Sequence, residues 1–302
     1  IQDILSSDKK IWAVVQNELQ EIDEKFGDKR RTKIKTIELV EYNPEDFIEH
    51  EDAYLVLSKN GWLRKFKTVV EPNTLKYKEN DSLLATVKAN TREFVAFFTS
   101  RGMVYVLKLY NLPYTRTGFG EPIQNLFKFS DGEKVVSVLS LDPAELAATT
   151  KILTGKPSKK SSRQTQLSFA NGENSGLEGM IVGSSGYGFR FTLTSLIETT
   201  RSGRKLMTLK SDDKLVGFSL VIGDHLFMAS ISGKGIVIPV EQVTLLTGAG
   251  MGSRLMKMTN SSLAGFKVAN KNGHSIITLE DGKTKRINIK DIRVTNRGGQ
   301  GV

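Results

Sequence analysis

Cysteine does not occur in this chain. Its absence excludes disulfides and thiolate metal sites and suits a reducing compartment. No apolar run approaches the ~20 residues that cross a bilayer, and no charged-then-apolar leader opens the sequence. The three histidines, His50, His225 and His274, stand apart with no metal-ligand spacing. Acidic charge is also in deficit: 33 Asp plus Glu against 43 Lys plus Arg leave a net +10. An excess of that size favours a polyanionic partner such as nucleic acid, with an anionic membrane surface as the other candidate. The plainer alternative is a solubilising surface, and clustering of the charge separates the two.

What is present suffices for a substantial core, since 39% of the 302 residues are hydrophobic. The chain opens on a helical pattern. Ile4, Ile11, Val15, Leu19, Ile22 and Phe26 form one apolar stripe, opposite Lys9, Lys10, Glu18, Glu21 and Glu24, and Gly27 ends it. Residues 1–34 read as the helical tail of a preceding domain, or as a helix packed on the domain after it. Residues 35 to 52 are acidic and read as a linker or as a first strand followed by a loop.

From Ala53 the pattern changes to short apolar runs separated by glycine turns, which read as β-hairpins. The stretch from Gly179 to Leu220 is the clearest unit. Met180-Ile181-Val182 turns at Gly183-Ser184-Ser185-Gly186 into Tyr187-Gly188-Phe189-Arg190-Phe191. A basic connection, Arg201 to Lys205, leads to two further strands, Leu206–Leu209 and Leu215–Leu220, so the expected unit is four strands with one basic loop. Similar hairpins surround Gly61, Gly102, Gly233 and Gly282. Subtracting the numbers of successive anchor glycines gives 41, 84, 47 and 49 residues. Four strands every 40 to 50 residues is the period of a propeller-like ring. The fold expected over residues 35–302 is all-β with five blades. The long gap reads as an inserted loop at about 142–178, poor in acid and rich in Ser, Thr, Gly and Asn.

The connections after the hairpins recur too: Arg116-Thr117-Gly118-Phe119-Gly120, Arg201-Ser202-Gly203-Arg204-Lys205, Gly248 to Arg254, and Arg297 to Gly301. Glycine lets a backbone approach a phosphate and arginine forks two donors onto one, so such loops at one phase of a ring would line a basic arc. The alternative is that the glycines merely permit turns. The expected rim contacts to nucleic-acid phosphates are Lys59, Arg64, Lys65, Arg101, Arg116, Arg190, Arg201, Arg204, Lys205, Lys234, Arg254, Lys283, Lys285, Arg286, Arg293 and Arg297. Gly248 to Gly252 is no nucleotide loop, because no Gly-Lys-Ser/Thr follows. No catalytic or metal site is expected.

The helix ending in Gly27-Asp28-Lys29-Arg30-Arg31-Thr32, followed by glycine-anchored blades, resembles the junction and C-terminal domain of the A subunit of bacterial type IIA topoisomerases. The resemblance covers essentially the whole chain and implies a five-bladed β-pinwheel that binds and bends duplex DNA. Ser58 to Trp62, Tyr77 to Asp81, Gly118 to Pro122 and Gly186 to Phe189 look more like topoisomerase IV than DNA gyrase. The gyrase box, Gln-Arg-Arg-Gly-Gly-Lys-Gly, has its nearest match at the far end, in Thr295 to Gly301, without the leading Gln and Arg and without the Lys. The resemblance further implies that the catalytic tyrosine lies elsewhere, and that this stretch needs no cofactor while the whole enzyme uses ATP and Mg2+. The implied partners are duplex DNA, the core of its own subunit in a homodimer, and an ATPase B subunit in an A2B2 complex, in the cytoplasm on the nucleoid and without a membrane. The competing classes are a protein-interaction propeller and an RNA-binding ring.

Overall fold

The structure is a computed structural model that describes residues 2–28, 48–115, 117–154, 176–197, 202–278 and 282–302. The chain divides into two compact units, Ile1–Pro44 and Glu45–Val302. The expected boundary at residue 34, and most of the acidic stretch after it, lie outside the described residues.

The first unit holds α1 (Gln2–Leu5) and α2 (Asp8–Phe26). The expected stripe is interrupted at Ser7, the extended residue that starts α2. Asp8 in the first turn and Lys25 in the last complement the helix dipole. Gly27 ends the helix, its N–H donating to the Asp23 carbonyl at 2.7 Å. Trp12, Leu19, Ile22 and Phe26 are exposed.

The second unit is a series of hairpins. In chain order the elements are β1 (Asp52–Ser58), β2 (Trp62–Phe66), β3 (Leu83–Asn90), β4 (Phe94–Thr99), β5 (Met103–Lys108), β6 (Glu121–Pro122), β7 (Val135–Ser140), α3 (Pro143–Thr154), β8 (Glu178–Gly183), β9 (Tyr187–Thr192), β10 (Arg204–Lys205), β11 (Leu215–Leu220), β12 (His225–Ser230), β13 (Gly235–Pro239), β14 (Ser253–Arg254), β15 (Leu263–Ala269), β16 (His274–Thr278) and β17 (Thr284–Asn288). Three sheets have four strands, in the orders β3-β1-β2-β6, β10-β5-β4-β7 and β11-β8-β9-β14; β13-β12-β15 and β16-β17 come after them. All the paired strands are antiparallel, as glycine-turned hairpins require.

The expected four-strand unit is corrected in one respect. In units two, three and four the hairpin and third strand form a blade, but the short strand between them leaves for the blade before. Arg204-Lys205 pairs with Val104 and Met103 of the previous blade, and Ser253-Arg254 with Gly188 and Tyr187. Glu121 and Pro122 likewise pair with Leu63 and Trp62. The strand expected at Leu206–Leu209 is thus displaced to Arg204-Lys205, and each complete blade is closed by a visiting strand from the next unit. Visiting demands close approach. A Cβ on Gly252, whose φ is +74, would lie 2.2 Å from the Gly188 carbonyl oxygen, so only glycine admits β14 to its host.

The core lies between blades. Strand alternation sends Val95 and Phe97 into the cluster shared with β1 and β2, and Ala96 and Phe98 into the one shared with β8 and β9. Both faces are covered, which is why these strands read as continuous apolar runs. Phe98 stacks on Phe218 of the next blade with centroids 4.5 Å apart and planes at 7°, worth about 0.5–1.5 kcal/mol beyond the buried area.

The expected loop at about 142–178 is also corrected at its start. Asp142 caps α3, accepting the Ala144 N–H at 2.9 Å and the Asn90 N–H at 2.7 Å. Leu146 is buried in the core between blades two and three, and Lys88 bridges Glu145 and Asp52 at 2.9 Å each. Those two carboxylates raise the Lys88 pKa and hold it charged. Most of the remaining segment lies outside the described residues.

Candidate nucleic-acid interface

The site depends on which edge of each sheet is which. The third strands β3, β7, β11 and β15 pack on one another in succession. In the three four-stranded sheets the visiting strand lies at the opposite edge. Successive visiting segments are also bridged, Met207 to Gly250 and Met256 to Gly299. The N–H of Thr208 donates to the Gly250 carbonyl, and that of Lys257 to Gly299, both at 2.8 Å. One hydrogen-bonded backbone path therefore runs through Arg204-Lys205, Arg254 and Arg297. Lys205, Arg254 and Arg297 are exposed along it.

Other expected contacts lie elsewhere. Lys59 and Arg101 stand exposed at the hairpin turns of blades one and two, Arg101 donating to the Asp131 carbonyl at 2.6 Å. Lys234 is exposed beside the blade-four turn. Lys283, Lys285, Arg286 and Arg293 are exposed in the fifth unit, where Arg286 donates to His274 Nδ1 at 3.2 Å. Arg116 and Arg201 lie outside the described residues.

Four expected rim cations turn inward. Arg64 and Lys65 are only 4% and 3% exposed. Neighbours on a strand face opposite sides, and both sides of a blade are packed, so both charges are internal. Arg64 donates to the Lys76 carbonyl at 2.9 Å and lies over the Tyr77 ring. The Lys65 ammonium donates to the carbonyls of Leu109 and Leu112, each at 2.9 Å, above the Tyr114 ring. Burial lowers its pKa to about 8. Arg190 pairs with Glu178 at 2.8 Å and donates to the Val243 carbonyl at 3.0 Å. Arg204 is half-buried and donates to the Ser195 carbonyl at 2.6 Å.

The loop glycines divide in the same way. A Cβ on Gly203 would strike the Tyr105 ring at 2.5 Å, whereas Gly118 and Gly248 face open space. The first kind serves the fold, and only the second is open to a ligand.

Two cations escape sequence reasoning. Lys78 sits 3.5 Å above the Trp62 ring centroid, and Lys210 is 4.9 Å from that of Tyr187. Each precedes by three residues an aspartate, Asp81 or Asp213, that ties down the hairpin turn. Asp81 accepts the N–H groups of Asn60 and Ser82, and Asp213 accepts that of Ser185 and the hydroxyls of Ser184 and Ser185. Aligning the repeats on those aspartates, rather than on glycine, would have found both lysines.

Interlocked blades of this kind, with a visiting strand on each closed sheet, define a five-bladed β-pinwheel. The chain belongs to the family described as DNA gyrase C-terminal domain, beta-propeller, whose model matches residues 93–142, 180–222, 224–270 and 280–302. It is 24% identical to the DNA gyrase A subunit of Dehalogenimonas lykanthroporepellens, covering 100% of this chain and 42% of that protein. It is 28% identical to the DNA gyrase A subunit of Kosmotoga olearia, again over 100% and 42%. The chain thus spans less than half the length of these curated relatives. Among solved structures, the C-terminal domain of DNA topoisomerase IV is similar with a TM-score of 0.65 and 18% identity, covering 84% of this chain and 73% of that one. The E. coli ParC C-terminal domain gives a TM-score of 0.62 with 22% identity over 83% and 93%.

Proposed function

We propose that this pinwheel binds duplex DNA without sequence preference along its visiting-strand edge and bends it for a type II topoisomerase core. The observation that carries the reading is the bridged backbone path bearing Lys205, Arg254 and Arg297, exposed cations from successive units. Cations on one path follow a phosphate backbone and read no bases. Bending 20–30 bp by 40–90° costs of order 1–6 kcal/mol, so several contacts must act together. The family membership supports the same reading.

Within it, the role is that of topoisomerase IV, presenting a curved segment, rather than gyrase-like wrapping. Blade one supports this choice, because its visiting strand is Glu121-Pro122 where the next blade has Arg204-Lys205. The tyrosine that cuts DNA then lies on the rest of the same polypeptide, the ATP and Mg2+ site lies on a B subunit of an A2B2 assembly, and the setting is the cytoplasm.

Gel-shift titration against relaxed, positively supercoiled and negatively supercoiled duplex at two salt concentrations tests the proposal. The triple variant Lys205→Gln, Arg254→Gln, Arg297→Gln should weaken binding on every sequence alike. It should flatten the log–log salt slope by about 0.9 for each phosphate no longer neutralised. A wild-type protein that ignores duplex in dilute buffer, or a weakening confined to one sequence, overturns it.

A further inference from the structure

We propose that Trp62 and Tyr187 are positioning residues that hold Lys78 and Lys210 out as two further phosphate contacts, on blades one and three, along the same DNA path. The inference rests on the reading of the pinwheel as a duplex-binding ring and names which groups complete it.

The two sites are built alike. Trp62 and Tyr187 each follow a turn glycine, Gly61 and Gly186, and each faces a visiting strand, at Pro122 and Arg254. Each ring is half-buried and carries an exposed lysine from the approach to the third strand. The Phe119 ring, on the approach to visiting strand β6, also lies 5.7 Å from the Lys78 ammonium. On Tyr187 the second neighbour is Arg254, whose Nε and Nη2 donate to the phenol oxygen at 3.1 and 2.7 Å. Blade two has Met103 and Ser130 at the equivalent positions, which offer neither ring nor charge. Among the described residues neither Lys78 nor Lys210 is paired with a carboxylate.

The chemistry fits a phosphodiester. An aromatic face attracts an ammonium through its quadrupole and engages only the N–H bonds that point at the ring, so the outward donors stay free for an anion. A seated lysine has already given up much of its rotamer freedom, so less is lost when a phosphate arrives. In blade one the seat has a particular consequence. The visiting strand there has Pro122 where β14 has Arg254, so Lys78 supplies the positive point that the strand itself lacks.

The test is a duplex-binding salt series on the whole protein, with thermal unfolding of each variant as a check of the fold. Lys78→Gln with Lys210→Gln should lower the salt slope by about 0.9 for each lysine removed. Trp62→Leu with Tyr187→Leu should weaken binding about two- to five-fold per site at constant slope, since the charges remain and only their seats are gone. Trp62→Phe with Tyr187→Phe should restore most of that affinity for the lysines, which a merely structural role would not predict. If wild type binds and the glutamine pair keeps its affinity and slope, the inference fails while the duplex-binding reading stands. It fails equally if the leucine pair, folded, binds like wild type. Should the leucine pair not fold, the exposed glutamine pair alone decides. A wild type that does not bind duplex removes both.

Discussion

The Gly186 carbonyl accepts the N–H of Leu255 at 2.9 Å, joining the hairpin turn of blade three to a residue of the following unit; Met256 donates to the same oxygen at 3.2 Å. The relation repeats. Gly102 takes the N–H groups of Leu206 and Met207, both at 2.9 Å, and Gly61 takes that of Ile123 at 2.9 Å. In the first three blades the turn glycine that shapes the hairpin is therefore also the anchor for the neighbour's strand, and these blades depend on one another in sequence.

Replacing Gly186 by alanine tests this interlock. Its φ is +80, and a Cβ would lie 2.3 Å from the Met256 carbonyl oxygen, a backbone atom that cannot move aside. The left-handed conformation alone costs about 1–2 kcal/mol for a residue with a side chain, and the collision adds to it. Gly118→Ala, at φ +86 in open space, should cost only the first part. Urea unfolding of the two variants should place Gly186→Ala well below Gly118→Ala in stability.

Asp213 offers a second test, because it gathers the turn of blade three onto the start of β11. Its carboxylate accepts the N–H of Ser185 at 2.9 Å and of Lys214 at 3.0 Å, besides two serine hydroxyls. Asp213→Ala removes the acceptor of the Ser185 N–H and of both serine hydroxyls, while the Lys214 N–H keeps the Ser184 oxygen at 3.1 Å, and should cost about 1–3 kcal/mol of unfolding free energy. The change should appear in denaturant midpoint with little change in m-value.

The hairpins were legible because a strand buried on both faces shows as an unbroken apolar run beside a turn glycine, as in Met180-Ile181-Val182. The visiting strands were not. Two residues such as Arg204-Lys205 carry no period, and their pairing is decided by a blade encoded about a hundred residues earlier. The start of α3 was legible in Asp142-Pro143 with Glu145, a cap, a first-turn proline and an acid in the first turn, but composition outweighed it. Arg64 and Lys65 misled because charge in a strand reads as exposed, whereas in β2 the residues on both faces are buried. Lys205, Arg254 and Arg297, which the structure leaves exposed, stand within two residues of Gly203, Gly252 and Gly298, in connections that recur along the sequence.

Lys65 gives the protein a distinctive alkaline response. Its folded pKa is about 8, lowered chiefly by burial, against about 10.4 for an exposed lysine. Between those values the unfolded chain holds more protons than the folded one, so this residue makes stability rise with pH through that window. The slope it contributes is at most about 1.4 kcal/mol per pH unit. Lys65→Met removes the contribution. Urea unfolding at pH 7.5, 8.5 and 9.5 should show wild type gaining on the variant at each step, and a constant difference would place the lysine's pKa at its ordinary value.

Inward and outward cations should separate cleanly when stability and DNA binding are measured on the same variants. Arg190 is held by Glu178 at 2.8 Å and by the Val243 carbonyl at 3.0 Å, so Arg190→Gln leaves a partly buried carboxylate without its partner. A drop of about 1–3 kcal/mol in stability is expected, with the salt slope of duplex binding unchanged. Lys205 is exposed on β10. Lys205→Gln should leave stability within about 0.5 kcal/mol and lower the slope by about 0.9. The two variants remove the same formal charge, so a net-charge effect would move both slopes equally. A slope that falls with Arg190 and holds with Lys205 would mean that the phosphate path runs over the β9 face and not along the visiting strands.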